Sequence, residues 1–293
     1  MVIEQLSNGI LFGVIIALLA SGVSLIFSVT RTFNFAHGDM ATIGATLAVA
    51  LTSVVALPLP LGVAIGIAVV ILVGICLNGL VLAPLARRGS TPTTILVVSL
   101  GFSMIFRYLL LGIVGPSPLR LPIPPQQVQP ILGLQITPAG AIAVAIGVIA
   151  LVGAGLFLSR TWRGRAIIAL ASNGPLAEVS GVNRARTIRL TWGIAAGLAG
   201  VGGLALALTQ LVYWDMGFQL LLYLFAGAIL GGLGTFVGAA VGGFVIGFVS
   251  QMAMLIPYVS EHADLRIAVA LIAMIVILLV RPQGIFGRKA RVS

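Results

Sequence analysis

Long apolar runs separated by short polar breaks dominate this chain. Nine runs stand out: 9–29, 40–57, 61–83, 93–114, 139–158, 190–212, 218–230, 236–256 and 267–280. A helix needs about 20 residues to cross a bilayer, with a usable range of about 17–25. Each run predicts a spanning helix. The seventh and ninth are short, and must borrow from their flanks or span only in part. No stretch is both polar and long enough to form a separate soluble domain. The expectation is therefore one transmembrane domain over residues 1–293. Its fold is all-α and polytopic, with eight to nine transmembrane helices and discontinuous or re-entrant Gly-rich segments.

Two breaks are unusual. The first, Arg31-Thr-Phe-Asn34-Phe35-Ala-His37-Gly38-Asp39, gathers Asn, His, Gly and Asp between two apolar runs. Polar groups at membrane depth are expensive and persist mainly where they face protein, water or a transported solute. Asn34 is a candidate cap and Asp39 suits the positive end of a helix starting there. His37 has no second His or carboxylate partner in the apolar runs, which argues against a proton relay. The second break is Gly-rich: Gly227, Gly231, Gly232, Gly234, Gly238, Gly242, Gly243 and Gly247. Four-residue spacing lines small residues on one helix face and lets backbones approach closely. A turn at Gly231–Gly234 needs protein or a wet cavity around its backbone. Tight packing and a pathway role both fit this segment. Discontinuous helices at related positions in two halves point to a transport pathway, so the glycine break is the expected counterpart of 31–39. The candidate pathway or gate residues are Asn34, Phe35, His37, Gly38, Asp39, Gly231, Gly232 and Gly234.

Composition supports the membrane assignment. The chain is 60% hydrophobic and 8% charged, against roughly 25% charged in a soluble domain. The net charge of +10 comes from 15 Arg and one Lys, set in short segments between runs. That pattern follows the positive-inside rule and argues against nucleic-acid binding. Arg31, Arg87, Arg88, the 160–189 cluster and the tail Arg281, Arg288, Lys289 and Arg291 fall on one side if every run crosses once. That side is assigned to the cytoplasm, with the C-terminus. The N-terminus then lies outside, or flips if one Gly-rich pair is a re-entrant hairpin. Met1–Glu4 lacks the basic region of a cleaved signal peptide, so the first run is expected to stay as a helix. Arg107, inside the fourth run, either snorkels to the interface, the favoured reading, or takes a role in the pathway. The outer segment 115–138 holds seven of the 14 prolines, giving a stiff loop that is either a docking surface or a spacer.

The longest internal connection is 159–189. It predicts a short helix over 163–172, ended by Asn173-Gly174, and a second over 175–180 with Gly181 as its C-cap. Gly164, Arg165, Ala166, Ala169, Asn173, Ala177, Glu178, Gly181 and Asn183 are the candidate contacts. The alanines would let a partner pack closely, and such a helix could be a lever for a cytosolic motor or could rest on anionic lipid.

Catalysis finds little footing. Six acids, two His and one Cys offer no paired carboxylates, His cluster or Cys/His dyad at plausible depth. A G-x-x-x-x-G-K-[ST] phosphate loop requires a Lys, and Lys289 is followed by Ala. An autonomous channel or secondary carrier remains the alternative to a driven permease, although ion-coupling groups at mid-membrane are sparse.

Several motifs occur in order: Asn34-Phe-Ala-His-Gly38 followed by Gly44-Ala45; Gly101-Phe-Ser103; Gly115-Pro116; the loop Gly164–Asn183; the glycine segment 231–247; and Arg281-Pro-Gln-Gly-Ile-Phe-Gly287. Together they resemble the permease subunit of bacterial ABC importers for branched-chain amino acids and related solutes, including urea, short amides and aromatic acids. The chain is similar to the shorter of two paralogous permeases, which carries Asn-Phe-Ala-His-Gly. The resemblance implies an inner-membrane location and three kinds of partner besides the lipid: a second permease, two cytosolic ATPase subunits, and an extracytoplasmic solute-binding protein. It implies no cofactor on this chain, with ATP and Mg held by the ATPases, and a coupling role for Gly164–Asn183. Ser172-Asn173-Gly174 departs from the family, where many relatives carry acidic residues.

Overall fold

The structure is a computed structural model that describes residues 2–124, 126–131, 133–262 and 264–287. Pro125 and the basic residues Arg288, Lys289 and Arg291 lie outside them.

The chain forms α1 (Val2–Thr30), α2 (Ala36–Ser53), α3 (Leu59–Cys76), α4 (Ala83–Arg87), α5 (Pro92–Val114), α6 (Pro138–Arg160), α7 (Trp162–Ser172) and α8 (Gly174–Val179). It continues with α9 (Arg184–Thr209), α10 (Met216–Gln219), α11 (Leu221–Gly231), α12 (Phe236–Met252), α13 (Pro257–Glu261) and α14 (Leu265–Val280). A π-helical segment, Leu77–Leu82, joins α3 to α4, so one continuous helix runs from Leu59 to Arg87. A short antiparallel hairpin, β1 (Gln129–Ile131) and β2 (Leu134–Ile136), sits in the proline-rich loop. Among the described residues, six helices are long and apolar enough to cross a membrane; residues 216–231 and 265–280 form shorter apolar helices.

Local sequence sets most helix starts. Thr91, Thr137, Thr161, Asn173 and Asn183 each accept a hydrogen bond from the backbone N–H three residues on, capping α5, α6, α7, α8 and α9. Proline follows at the first turn of α5, α6 and α8, where a missing N–H costs nothing.

Helices α1 and α9 form the centre and are largely buried, whereas α5 and α6 turn most of their apolar surface outward. The order of elements repeats with the opposite sense. A long helix (α1), an irregular re-entry (31–35), a short helix (α2), a long helix (α3) and a further helix (α5) make the first half. In the second half the series is α9, residues 210–215, α10 with α11, α12 and α14. Packing follows the same symmetry: α1 lies along α12 as α3 lies along α9, and α2 on α3 as α11 on α12. The described residues make nine passages between the two ends, counting α2 and α10–α11 as partial ones. The first residues of α1 sit with the proline-rich loop, since Ser7 Oγ accepts from Gln135 N–H at 2.9 Å. The described tail after α14 sits at the opposite, arginine-rich end.

Three expectations change. The second helix begins at Ala36, one turn before the apolar run at Met40, so His37, Gly38 and Asp39 are helical and only 31–35 is irregular. The seventh run is broken into α10 and α11. The counterpart of the 31–35 re-entry is 210–215, not the glycine break, which is the turn between α11 and α12. The stiff proline-rich loop is pinned to the bundle: Leu119 and Val212 exchange backbone hydrogen bonds of 2.9 and 2.8 Å.

Candidate gate where two discontinuous helices meet

Arg31 ends α1 in a left-handed conformation (φ 57°), which turns the chain back into the bundle. Five residues can reach at most about 17 Å. This carries the start of α2 to the level of Gly22, eight residues and about 12 Å from the end of α1 at about 1.5 Å per residue. The irregular stretch is therefore an inner-half passage that ends at mid-depth. Asn34 starts the helix: its Oδ1 accepts from Ala36 N–H at 3.2 Å and its carbonyl from His37 N–H at 3.4 Å. Phe35 donates its N–H to Ser99 Oγ at 3.2 Å and lays its ring 5.0 Å from that of Phe225 on α11.

His37 is fully buried against Gly22 of α1, where any side chain would collide with the imidazole. Gly38 meets Gly217 of α10 backbone to backbone, so neither position has room for a Cβ. Thr42 closes the junction by accepting from Gly217 N–H at 2.9 Å. Asp39 accepts a hydrogen bond from Ser103 Oγ, and Arg107 Nε stands 3.7 Å from its Oδ1. The Arg107 guanidinium lies 3.8 Å from the centre of the Phe218 ring. Arg107 thus turns inward to a buried carboxylate instead of reaching for the interface. Its Nε also leans on the Ser103 carbonyl at 3.4 Å. A charge at this depth is tolerable only when paired, and Asp39 supplies the partner.

Of five buried side-chain polar atoms without a hydrogen-bond partner among the described residues, four belong to Asn34, His37 and Asp39. Buried polar atoms are nearly always satisfied, and exceptions cluster where a structure works rather than rests. Ser99, Ser103 and Arg107 were missed as partners of the 34–39 segment. Their signal was present: they recur every four residues, a polar stripe down one face of an apolar helix.

The glycine segment plays a different part. Gly231, Gly232 and Gly234 form the α11–α12 turn at the arginine-rich end, with Gly232 (φ 105°) and Gly234 (φ 86°) in conformations that L side chains rarely adopt. Gly234 donates to Ser24 Oγ at 3.0 Å, and Ser24 donates to the Thr235 carbonyl at 3.1 Å. The tail motif covers the end of α11: Ile285 and Phe286 donate to the Leu230 and Gly231 carbonyls at 2.8 and 3.1 Å. Those carbonyls would otherwise lack partners at a helix end.

The segment 159–189 folds as two short helices with Gly181 at φ 88°. Gly164 and Ala177 are buried against their own neighbours, and no side chain fits at Gly164 beside Phe157 and Leu158. They are packing residues of this chain, not outward-facing contacts. Asn173 and Asn183 are caps, Ala166 is half-buried, and Arg165, Ala169, Glu178 and Gly181 are exposed. Glu178 pairs with Arg184 at 2.9 Å. The outward apolar side chains here are Trp162, Ile168, Leu176 and Val179, which the search for small residues overlooked.

Comparison with known proteins matches this architecture. The family described as "branched-chain amino acid transport system / permease component" matches residues 5–280. The high-affinity branched-chain amino acid transport system permease protein BraD of Pseudomonas aeruginosa is 28% identical, covering 98% of this chain and 96% of the relative. LivH of Escherichia coli K12, a permease protein of the same description, gives the same figures. A probable branched-chain amino acid permease, LivH of Methanocaldococcus jannaschii, is 28% identical over 96% of this chain and 91% of its own. Among solved structures, PsaBC from Streptococcus pneumoniae in complex with Fab shares the fold, with a TM-score of 0.54 at 14% identity over 96% of this chain and 94% of that one. An apolar bundle with two interrupted helices meeting at mid-depth, matched over nearly its whole length, settles the family: this multi-pass membrane protein belongs to the permease components of branched-chain amino acid transport systems.

Proposed function

We propose that this chain forms half of the translocation core of an ATP-binding cassette importer for branched-chain amino acids or a related small solute. Near-complete alignment with permeases named for branched-chain amino acid transport carries this reading. The partners are a second permease, two cytosolic ATPase subunits that bind ATP and Mg, and an extracytoplasmic solute-binding protein. The arginine-rich end, with the C-terminus, faces the cytoplasm.

The junction of α2, α5 and α10 supports a gate role for Asn34, Phe35, His37, Gly38 and Asp39. It joins α2 to α10 and α5 by one backbone contact, one buried ion pair and a few hydrogen bonds, so a modest shift of α2 alters all of them together. ATP-driven closure biases an inward- to outward-facing equilibrium only through differential contacts in the two states. The α7–α8 segment, with Trp162, Ile168, Leu176 and Val179 exposed, suits transmission from the ATPases.

The test is co-expression with the neighbouring transporter genes. The complex should contain two ATPases and a second permease. A Leu176→Asp, Val179→Asp variant should keep ATP hydrolysis while solute uptake into proteoliposomes falls at least tenfold. Uptake at the wild-type rate would remove α8 from the coupling path. Flux in liposomes holding this chain alone would overturn the driven-permease reading.

A further inference from the structure

A cavity of about 430 Å3 opens at the arginine-rich end, away from the α2–α10 junction. Its walls come from four places: the end of α1, the π-helical segment with α4, the start of α5 and the start of α9. The rim carries Arg87, Arg184 and Arg189, and the floor is apolar, with Leu82, Ile95, Ile188 and Trp192. Arg184 is engaged by Glu178. No ion pair holds Arg87 or Arg189 among the described residues. Two buried polar side chains lie in the wall. Asn78 is 5% exposed and makes no side-chain hydrogen bond among the described residues. Trp192 is 1% exposed, and its Nε1–H has no acceptor. The Trp192 Nε1–H is itself sealed from the cavity, so Asn78 and the rim arginines are the donors that a ligand in this cavity meets.

The volume is that of a small-molecule site. Guanidinium groups favour phosphate and carboxylate, which they can bind in a fork. The floor requires that the same ligand bring apolar substance. Leu80 and Val97, strongly exposed beside the cavity on the π segment and α5, carry the apolar outer surface up to its edge. Basic pockets between membrane helices on the cytoplasmic side suit acidic lipid headgroups.

We propose that this cavity binds an anionic phospholipid. The phosphate accepts hydrogen bonds at the Arg87–Arg189 rim, and the glycerol and upper acyl region rest on Leu82, Ile95, Ile188 and Trp192. A lipid so placed ties α4 to α9, two elements from opposite halves of the repeat. The π-helical segment fits this use, since an extra residue per turn opens the wall facing α9, and such segments recur at functional positions.

Trp192 is a built-in reporter. The full chain carrying Trp162→Phe and Trp214→Phe, in nanodiscs of phosphatidylcholine, is titrated with phosphatidylglycerol brominated on its acyl chains. Emission from Trp192 should fall saturably by at least half, and unlabelled phosphatidylglycerol should restore it. Arg87→Gln with Arg189→Gln should raise the half-saturating fraction at least tenfold. Equal quenching by brominated phosphatidylcholine, or no effect of the arginine variants, overturns the site. Inorganic phosphate that changes Trp192 emission in pure phosphatidylcholine discs assigns the rim to a free anion and overturns the lipid. If the tryptophan background does not fold, native mass spectrometry of the wild-type chain decides. Retention of acidic lipid over phosphatidylcholine supports the site when Arg87→Gln, Arg189→Gln abolishes it, and equal retention defeats it.

Discussion

Two regions at similar depth hold this bundle together by opposite means. In the α1–α11–α12 seam, Gly227, Gly243 and Gly247 bring backbones together, and Ser24 bonds only at the turn that ends the seam; a Cβ at Gly243 would sit 2.8 Å from Ala17 Cα. In the α2–α5–α10 junction, Asp39, Ser103, Arg107 and Thr42 tie the elements through charge and hydrogen bonds. The seam has one way to fit, because dispersion and shape are lost as soon as the helices part. The junction has several, because polar groups can exchange partners with water or a neighbouring chain. A fixed frame and an adjustable joint are what a driven permease requires.

The largest effect is expected from splitting the ion pair. Asp39→Ala strands the Arg107 charge, and removal of one partner from a buried pair costs about 3–5 kcal/mol. Folded protein recovered in detergent should fall sharply, and Asp39→Asn, Arg107→Gln together should recover part of it. Strictly additive losses would mean the two groups are not coupled. Next comes the seam: Gly243→Val should cost about 1–3 kcal/mol by overpacking, read as loss of monodisperse protein. A tolerated Gly243→Val would show that the seam is adjustable too. Asn34→Ala removes the side-chain bond to the Ala36 N–H at the start of α2, worth about 1 kcal/mol, and should reduce uptake more than assembly. His37→Ala should leave assembly intact and lower transport; unchanged uptake kinetics would make His37 a filler against Gly22. The smallest effect belongs to the exposed Glu178–Arg184 pair, where Glu178→Gln should change stability by less than about 1 kcal/mol.

Much of the frame was legible locally. Thr91-Pro92, Thr137-Pro138, Asn173 and Asn183 start their helices from purely local sequence, because a cap needs only its own next three residues. The short helices of 159–189 were placed within one or two residues for the same reason. Arg107 was misread because its partner Asp39 is remote in sequence, and an isolated Arg in an apolar run has snorkelling as its default. The glycine break was taken as the twin of 31–39 because both are irregular and weakly apolar. Their directions and depths are set by which helices they pack on, and no local pattern carries that.

By itself the sequence determined that this chain is a helical membrane bundle, which segments form its long helices, which end is basic, and which family it resembles. These follow from hydrophobic run length, caps and charge placement, all of them short-range. Only the tertiary structure decided that α2 starts at mid-depth, that 210–215 mirrors 31–35, and that Arg107 turns to Asp39. It alone assembled the arginine-rimmed cavity from four separate elements. Contacts between backbones and charges far apart in the chain depend on how helices cross, and crossing is the joint outcome of every packed face.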